Sequence, residues 1–187
     1  LLMGERTALN FVQRMSGIAT TTRAFVDAIA GLPTRLLDTR KTLPGHRILD
    51  KQAVRDGGGS NHRMGLYDLA MIKDNHIAAA GGIAQAVRLV REHIPAYLRI
   101  EVETSNLNEV HEAIEAGADI IMLDNMSLEV MRKAVEYIDH RALTEASGNV
   151  TLERIRAIAE TGVDFVSTGA ITHSIRALDI SMKLQVS

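Results

Sequence analysis

Leu98-Arg99-Ile100-Glu101-Val102-Glu103 is the stretch that decides the architecture. Successive side chains of an extended strand point to opposite faces. Leu98, Ile100 and Val102 therefore share one face, and Arg99, Glu101 and Glu103 share the other. In an open, doubly wound parallel sheet, apolar helices cover both faces. A strand with one charged face instead fits a barrel whose interior opens on a site. The same phase places Asp124 with Ile120 and Met122, at the C-terminal end of the strand Asp119–Asp124.

Working outward, short apolar runs alternate with amphipathic ones. Residues 5–30 read as a helix, with Leu9, Val12, Ile18, Phe25 and Ile29 at helical spacing. Strands are expected at Arg35–Asp38, Leu69–Lys73, Leu98–Glu103, Asp119–Asp124, Ala142–Ala146 and Val163–Ser167. Helices are expected at Ile83–Val90, Leu107–Ala116, Leu128–Ile138, Leu152–Glu160 and Ile175–Leu184. Alternation of this kind means an α/β fold with a parallel sheet. Glu103, Asp124, Ser147 and Gly169 lie 21, 23 and 22 residues apart, one βα unit per step. Each stands where a strand gives way to a loop. In (β/α) barrels the site is built on that C-terminal rim, and phosphate often binds at the last two βα loops.

The chain has 187 residues, a length that suits one domain over residues 1–187. It is 46% hydrophobic and 24% charged, within the ordinary globular range. A formal net charge of −2 gives no global attraction to nucleic acid or to an anionic membrane. No apolar run approaches the ~18–20 residues that span a bilayer. There is no cysteine, which excludes disulfides and thiolate metal sites and agrees with a cytoplasmic location. The first residues, Leu1-Leu2-Met3-Gly4-Glu5-Arg6, do not read as a signal peptide, and the start without Met suggests a preceding segment.

Charge is unevenly placed. Residues 35–76 hold eight Lys/Arg, five Asp and three His. Residues 100–131 hold eight carboxylates and no Lys or Arg. A basic segment followed by an acidic one suggests an anion site beside a cation site. Three stretches put cations where loops converge: Asp38-Thr39-Arg40-Lys41-Thr42, Asn61-His62-Arg63-Met64-Gly65 and Lys73-Asp74-Asn75-His76. Arg grips a carboxylate through two parallel hydrogen bonds, His adds one, and Lys supplies a point charge. Taken singly, each is a common surface residue. The Gly57-Gly58-Gly59-Ser60-Asn61 run reads as a flexible linker or, given its basic flanks, an active-site loop.

The ordered set of motifs resembles the quinolinate phosphoribosyltransferase family. It runs from Glu5-Arg6-Thr7-Ala8-Leu9-Asn10-Phe11 and Ser16-Gly17-Ile18-Ala19-Thr20 through the three cationic stretches and the glycine run. It continues through Glu101-Val102-Glu103, Asp119–Met126, Glu145-Ala146-Ser147-Gly148 and Gly169-Ala170-Ile171-Thr172-His173-Ser174, nearly the whole chain. The resemblance implies an incomplete (β/α) TIM-like barrel, with the family's N-terminal α/β sandwich domain absent from this chain. It implies a homodimer or higher homo-oligomer with shared active sites.

By the same resemblance Arg40, Lys41, His62, Arg63 and Lys73 hold the two carboxylates of quinolinate, and Thr39 also belongs to the substrate site. Arg6 reaches the site from the neighbouring subunit. Glu103 and Asp124 bind the ribose hydroxyls and Mg²⁺ of phosphoribosyl pyrophosphate, and with Lys73 form the catalytic set. Ser147, Gly148, Gly169 and His173 receive the 5′-phosphate, with Asn149 and Ala170 also in the substrate site. Asn149 departs from the family, which usually has a second glycine there. Its side chain either crowds the phosphate loop or donates to it. The implied reaction yields nicotinate mononucleotide, pyrophosphate and CO₂, in NAD biosynthesis. Two other readings stand beside this one: a class I aldolase or decarboxylase with Lys73 as Schiff base, and a phosphometabolite-binding or assembly domain without catalysis.

Overall fold

A run of βα units can bury its strands only by curling the sheet inside a ring of helices. The computed structural model describes residues 2–183 and shows this arrangement. A long first helix, α1 (Leu2–Ala28), leads into β1 (Arg35–Leu37) and α2 (Arg47–Asp56). Then come β2 (Ala70–Ile72), α3 (Asp74–Ala80), α4 (Ile83–His93), β3 (Ile100–Thr104) and α5 (Leu107–Glu115). The rest is β4 (Ile120–Asp124), α6 (Leu128–Ile138), β5 (Leu143–Ser147), α7 (Ile155–Ala159), β6 (Phe165–Ser167) and α8 (Ala170–His173). The six strands form one sheet in the order β1-β6-β5-β4-β3-β2, with every pairing parallel.

No ladder joins β1 to β2, so the barrel is incomplete there. The glycine run partly fills the gap. Ser60 makes a lone parallel bridge to Leu37, its N–H donating to Leu36 O at 2.8 Å. The run packs closely against its neighbours and is no flexible linker. A Cβ on Gly57 would lie 2.5 Å from Ala19 O and 2.7 Å from Thr22 Cβ, and one on Gly59 would lie 2.9 Å from Val54 Cγ1. Only bare backbone fits against α1 and α2 there.

The outer helices follow from their apolar spacing. Met131, Ala134 and Ile138 of α6 are buried at i, i+3 and i+7. Asn106 and Ser127 cap α5 and α6 by accepting from the N–H groups of Glu109 (3.0 Å) and Val130 (3.3 Å). Ile100, Val102, Ile121, Leu123 and Val166 are fully buried between sheet and helices. Each such side chain is worth roughly 1.5–3 kcal/mol of transfer free energy.

Four expectations change. Ile175–Leu184 is not a helix: residues 175–183 run without regular structure, and residue 184 lies outside the described residues. The segment is held along α1, with Leu178 N–H donating to Gln13 O at 3.1 Å and Gln13 Nε2 to Ile180 O at 2.9 Å. Gly17 lets the Arg176 carbonyl approach so closely that a Cβ would collide with it. A helix has no room on that surface. Helices α2 and α3 were not expected: α2 buries Asp50 and Lys51 beside Ala53 and Val54, which breaks up any apolar stripe, and α3 buries nothing. Leu152–Glu160 contracts to α7. The stripe on α1 buries Ile18, Phe25 and Ile29 but leaves Val12 exposed. Among the described residues, no helix is long and apolar enough to cross a membrane.

Candidate active site

Strand register builds the site. Glu103 pairs with Met122, Met122 with Glu145, and Asp124 with Ser147, so these inward positions form successive tiers at the C-terminal mouth. The mouth is a cavity of about 810 Å³. It brings together Thr39, Arg40, Lys41, His62, Arg63, Lys73, Glu103, Asp124, Ser147, Gly148, Asn149, Gly169, Ala170 and His173. Of the residues expected there, Arg6 alone is elsewhere, exposed on the first turns of α1 and outside the cavity of its own chain.

The cation-bearing segments are fixed by buried ion pairs that sequence reading missed. Asp38, at the end of β1, and Lys51, on α2, are both fully buried and paired. Asp38 also accepts from the His62 N–H (2.8 Å) and from Asn61 Nδ2 (2.6 Å), while Lys51 Nζ donates to His62 O at 3.0 Å. Burial pushes the Asp38 carboxyl up, and the Lys51 hydrogen bond and charge oppose it. Arg14 grips the buried Asp50 through Nε (2.8 Å) and Nη2 (2.7 Å). Arg47 ties the loops together, donating to Thr42 Oγ1, Met64 O and Arg40 O, each at 3.1 Å.

Beneath the mouth lies a cluster that was not anticipated. His62 Nε2 sits 3.3 Å from an oxygen of Glu101 and 3.3 Å from one of Glu145. These distances are long for hydrogen bonds, so the contacts are ion pairs. Burial alone would lower the His62 pKa, but contact with the two carboxylates overrides it and lifts the value to about 10. Glu101 is raised, by its own burial first and by the Glu145 charge. His62 Nδ1 lies 2.6 Å from the Arg63 backbone nitrogen.

The three candidate ligand atoms lie within 4.8 Å of one another, close enough for a metal. A ring held protonated by the two carboxylates, however, offers no lone pair to an ion. His62 thus uses both ring nitrogens inside the protein rather than offering a donor to the cavity. Its expected grip on a carboxylate reduces to its charge and ring carbons.

Lys73 pairs with Glu103 across the mouth. The Asp124 carboxylate accepts from Asn125 Nδ2 at 2.8 Å, its one hydrogen bond among the described residues. Beside Asp124, the loop after β5 turns through Gly148 (φ 89°) and Asn149 (φ 49°). Among the described residues, the N–H groups of Gly148, Asn149 and Gly169 have no acceptor within the protein. Unpaired amides at a cavity rim suit phosphate oxygens. The Thr172 hydroxyl donates to Lys41 O at 2.8 Å, joining α8 to the first cationic stretch.

These features define a class: an incomplete parallel (β/α)-barrel whose C-terminal mouth combines cations, carboxylates and unpaired backbone amides. Residues 18–183 match the family model described as quinolinate phosphoribosyl transferase, C-terminal domain, and the chain belongs to that family. It is 56% identical to a Synechocystis protein named probable nicotinate-nucleotide pyrophosphorylase (carboxylating), over 98% of this chain and 63% of that one. It is 50% identical to the chloroplastic nicotinate-nucleotide pyrophosphorylase (carboxylating) of Arabidopsis thaliana, over 98% of this chain and 58% of that one. The structure of NadC from Streptococcus pyogenes superposes with a TM-score of 0.95 at 48% identity, covering 98% of this chain and 64% of that one. The chain thus spans about three fifths of the length of the relatives it matches.

Proposed function

We propose that this chain is the catalytic barrel of an enzyme that transfers a phosphoribosyl group from phosphoribosyl pyrophosphate to quinolinate, with loss of CO₂. The observation that carries the reading is the convergence, in one 810 Å³ mouth, of four cations, two rim carboxylates and a loop of free amides. Relatives are named for this reaction. Arg40, Lys41, Arg63 and Lys73 hold the two acid groups, with His62 lending charge from the floor. Ser147, Gly148, Asn149 and Gly169 receive the 5′-phosphate, with Ala170 and His173 beside them.

Glu103 and Asp124 hold the ribose hydroxyls and a Mg²⁺ brought with the donor. Mg²⁺ is bound by one or two carboxylates plus substrate phosphates. The residues fit: two oxygen donors line the mouth, and Asp124 makes a single hydrogen bond. When bound, the ion neutralises charge on the departing pyrophosphate. Glu103, paired with Lys73, must turn from it to reach a sugar.

The pyridine nitrogen bonds to ribose C1 as the C1–oxygen bond to pyrophosphate breaks. Nitrogen is then cationic, so the adjacent ring carbon can lose CO₂, keep the electron pair and take a proton from solvent. The protein's work is to place two anions face to face and screen them. No side-chain nucleophile is needed.

Arg6, exposed on its own chain, completes the acid site of a partner in a homodimer or larger ring, and we place the protein in the cytoplasm. Arg6→Ala and Lys73→Ala chains, each inactive in the full-length protein, should recover up to about one quarter of wild-type activity when mixed. Half of the dimers are then mixed and one of their two sites is intact. No recovery after verified subunit exchange would remove Arg6 from the site. Wild-type turnover that releases CO₂ and pyrophosphate one to one supports the reaction, and borohydride trapping of Lys73 on a carbonyl substrate would replace it with an aldolase.

A further inference from the structure

Asn149 is the residue of the phosphate loop whose side chain has somewhere definite to go. Its Nδ2 donates to Asn125 Oδ1 at 2.9 Å. Asn125 in turn donates from Nδ2 to the Asp124 carboxylate at 2.8 Å. The relay runs between neighbouring strands. Asp124 and Ser147 are register partners, and Asn125 N–H donates to Ser147 O at 2.9 Å.

The backbone is committed to this contact. Asn125 (φ 54°) and Asn149 (φ 49°) both occupy the left-handed region, which a non-glycine residue enters at a cost. Between them Gly148 (φ 89°) carries no Cβ, and one built there would collide with the Asn125 amide. Arg154 Nη1 holds the Asn149 carbonyl at 3.0 Å, so the turn is braced from outside the mouth. Unusual backbone at a site, over-determined by its neighbours, points to a functional constraint.

We propose that Asn149 is a positioning residue: through Asn125 it ties the phosphate-receiving loop to the Asp124 carboxylate, so that one hydrogen-bonded unit meets both ends of a ribose 5-phosphate. This rests on the donor site proposed above. The relay orients the Asp124 carboxylate before any ligand arrives. It also resolves the choice left by the sequence: the Asn149 side chain turns toward the neighbouring loop and donates there.

Asn149→Gly and Asn125→Gly test the relay without strain, because glycine accepts left-handed backbone freely. Ribose 5-phosphate binding to the full-length protein is measured by calorimetry in EDTA, together with the KM for each substrate. Each variant should weaken ribose 5-phosphate by about three- to tenfold, the range of one net hydrogen bond. The double variant should be no worse than either single one. The donor KM should rise with these losses while the quinolinate KM and the melting temperature stay put. Wild-type affinity in either variant, or losses that multiply in the double variant, overturns the relay. A wild-type protein that does not bind ribose 5-phosphate overturns the donor site itself.

Discussion

Replacing Lys51 by Met keeps the length of the side chain and removes its charge from a position with no solvent exposure. Asp38, equally buried, then loses its cation but keeps the hydrogen bonds from Asn61 Nδ2 (2.6 Å) and the His62 N–H (2.8 Å). Removing one partner of a buried pair typically costs about 3–5 kcal/mol. The two surviving donors put the expected loss near the lower end, about 3 kcal/mol. Urea unfolding at neutral pH reads it directly, with an unchanged m-value confirming that the folded state is intact. The loss should also depend on pH. Burial raises Asp38 above its ordinary 3.8 while Lys51 pulls the other way, so without Lys51 it rises further. A carboxyl raised in the folded state contributes stability that is present below its unfolded pKa and lost as pH rises through the folded value. The Lys51→Met protein should therefore recover part of its stability on acidification, and Asp38→Asn in the same background should recover part at neutral pH. A loss under about 1 kcal/mol, or the same loss at every pH, would refute the claim that this pair pins the cationic segments.

Two other outcomes follow from the site. His62, raised from 6.5 to about 10 by Glu101 and Glu145 against the effect of burial, contributes stability that is fully present below pH 6.5 and lost as pH rises toward 10. Thermal melts from pH 6 to 10 should show that decline in the wild type and a flatter profile in His62→Gln; identical profiles would mean that the ion pairs do not form. Asp124→Asn and Glu103→Gln should each raise the donor KM and shift its Mg²⁺ dependence while leaving quinolinate binding alone nearly unchanged. Wild-type donor kinetics across a Mg²⁺ titration in either variant would mean that the ribose and metal site lies elsewhere.

The βα rhythm was legible because apolar strands and amphipathic helices repeat at a fixed period. The charged phase of Glu101 and Glu103 pointed to a barrel, and the register confirms that both point inward. Rim residues were legible for the same reason, each standing where a strand ends. Periodicity could not find α2, whose buried face carries Asp50 and Lys51 in ion pairs and so reads as polar. It misread residues 175–183, where apolar spacing is helical but the surface of α1 at Gly17 admits only an irregular chain. The His62, Glu101 and Glu145 cluster was invisible because strand register and the β1–β2 gap, and no local pattern, bring its members together. Asn125 gave one faint signal, an amide immediately after a rim carboxylate at a strand end.

The central claim is that the cationic mouth is built for a dicarboxylate, and the ratio of kcat/KM for quinolinate to that for nicotinate in the full-length protein tests it most directly. Nicotinate lacks one carboxylate and would leave Arg40, Lys41, Arg63 or Lys73 without its partner anion. A site built to pair a charged group rejects the analogue lacking it by about 10⁴ or more. The account predicts a preference for quinolinate of that order. Comparable kcat/KM for the two acids would contradict it.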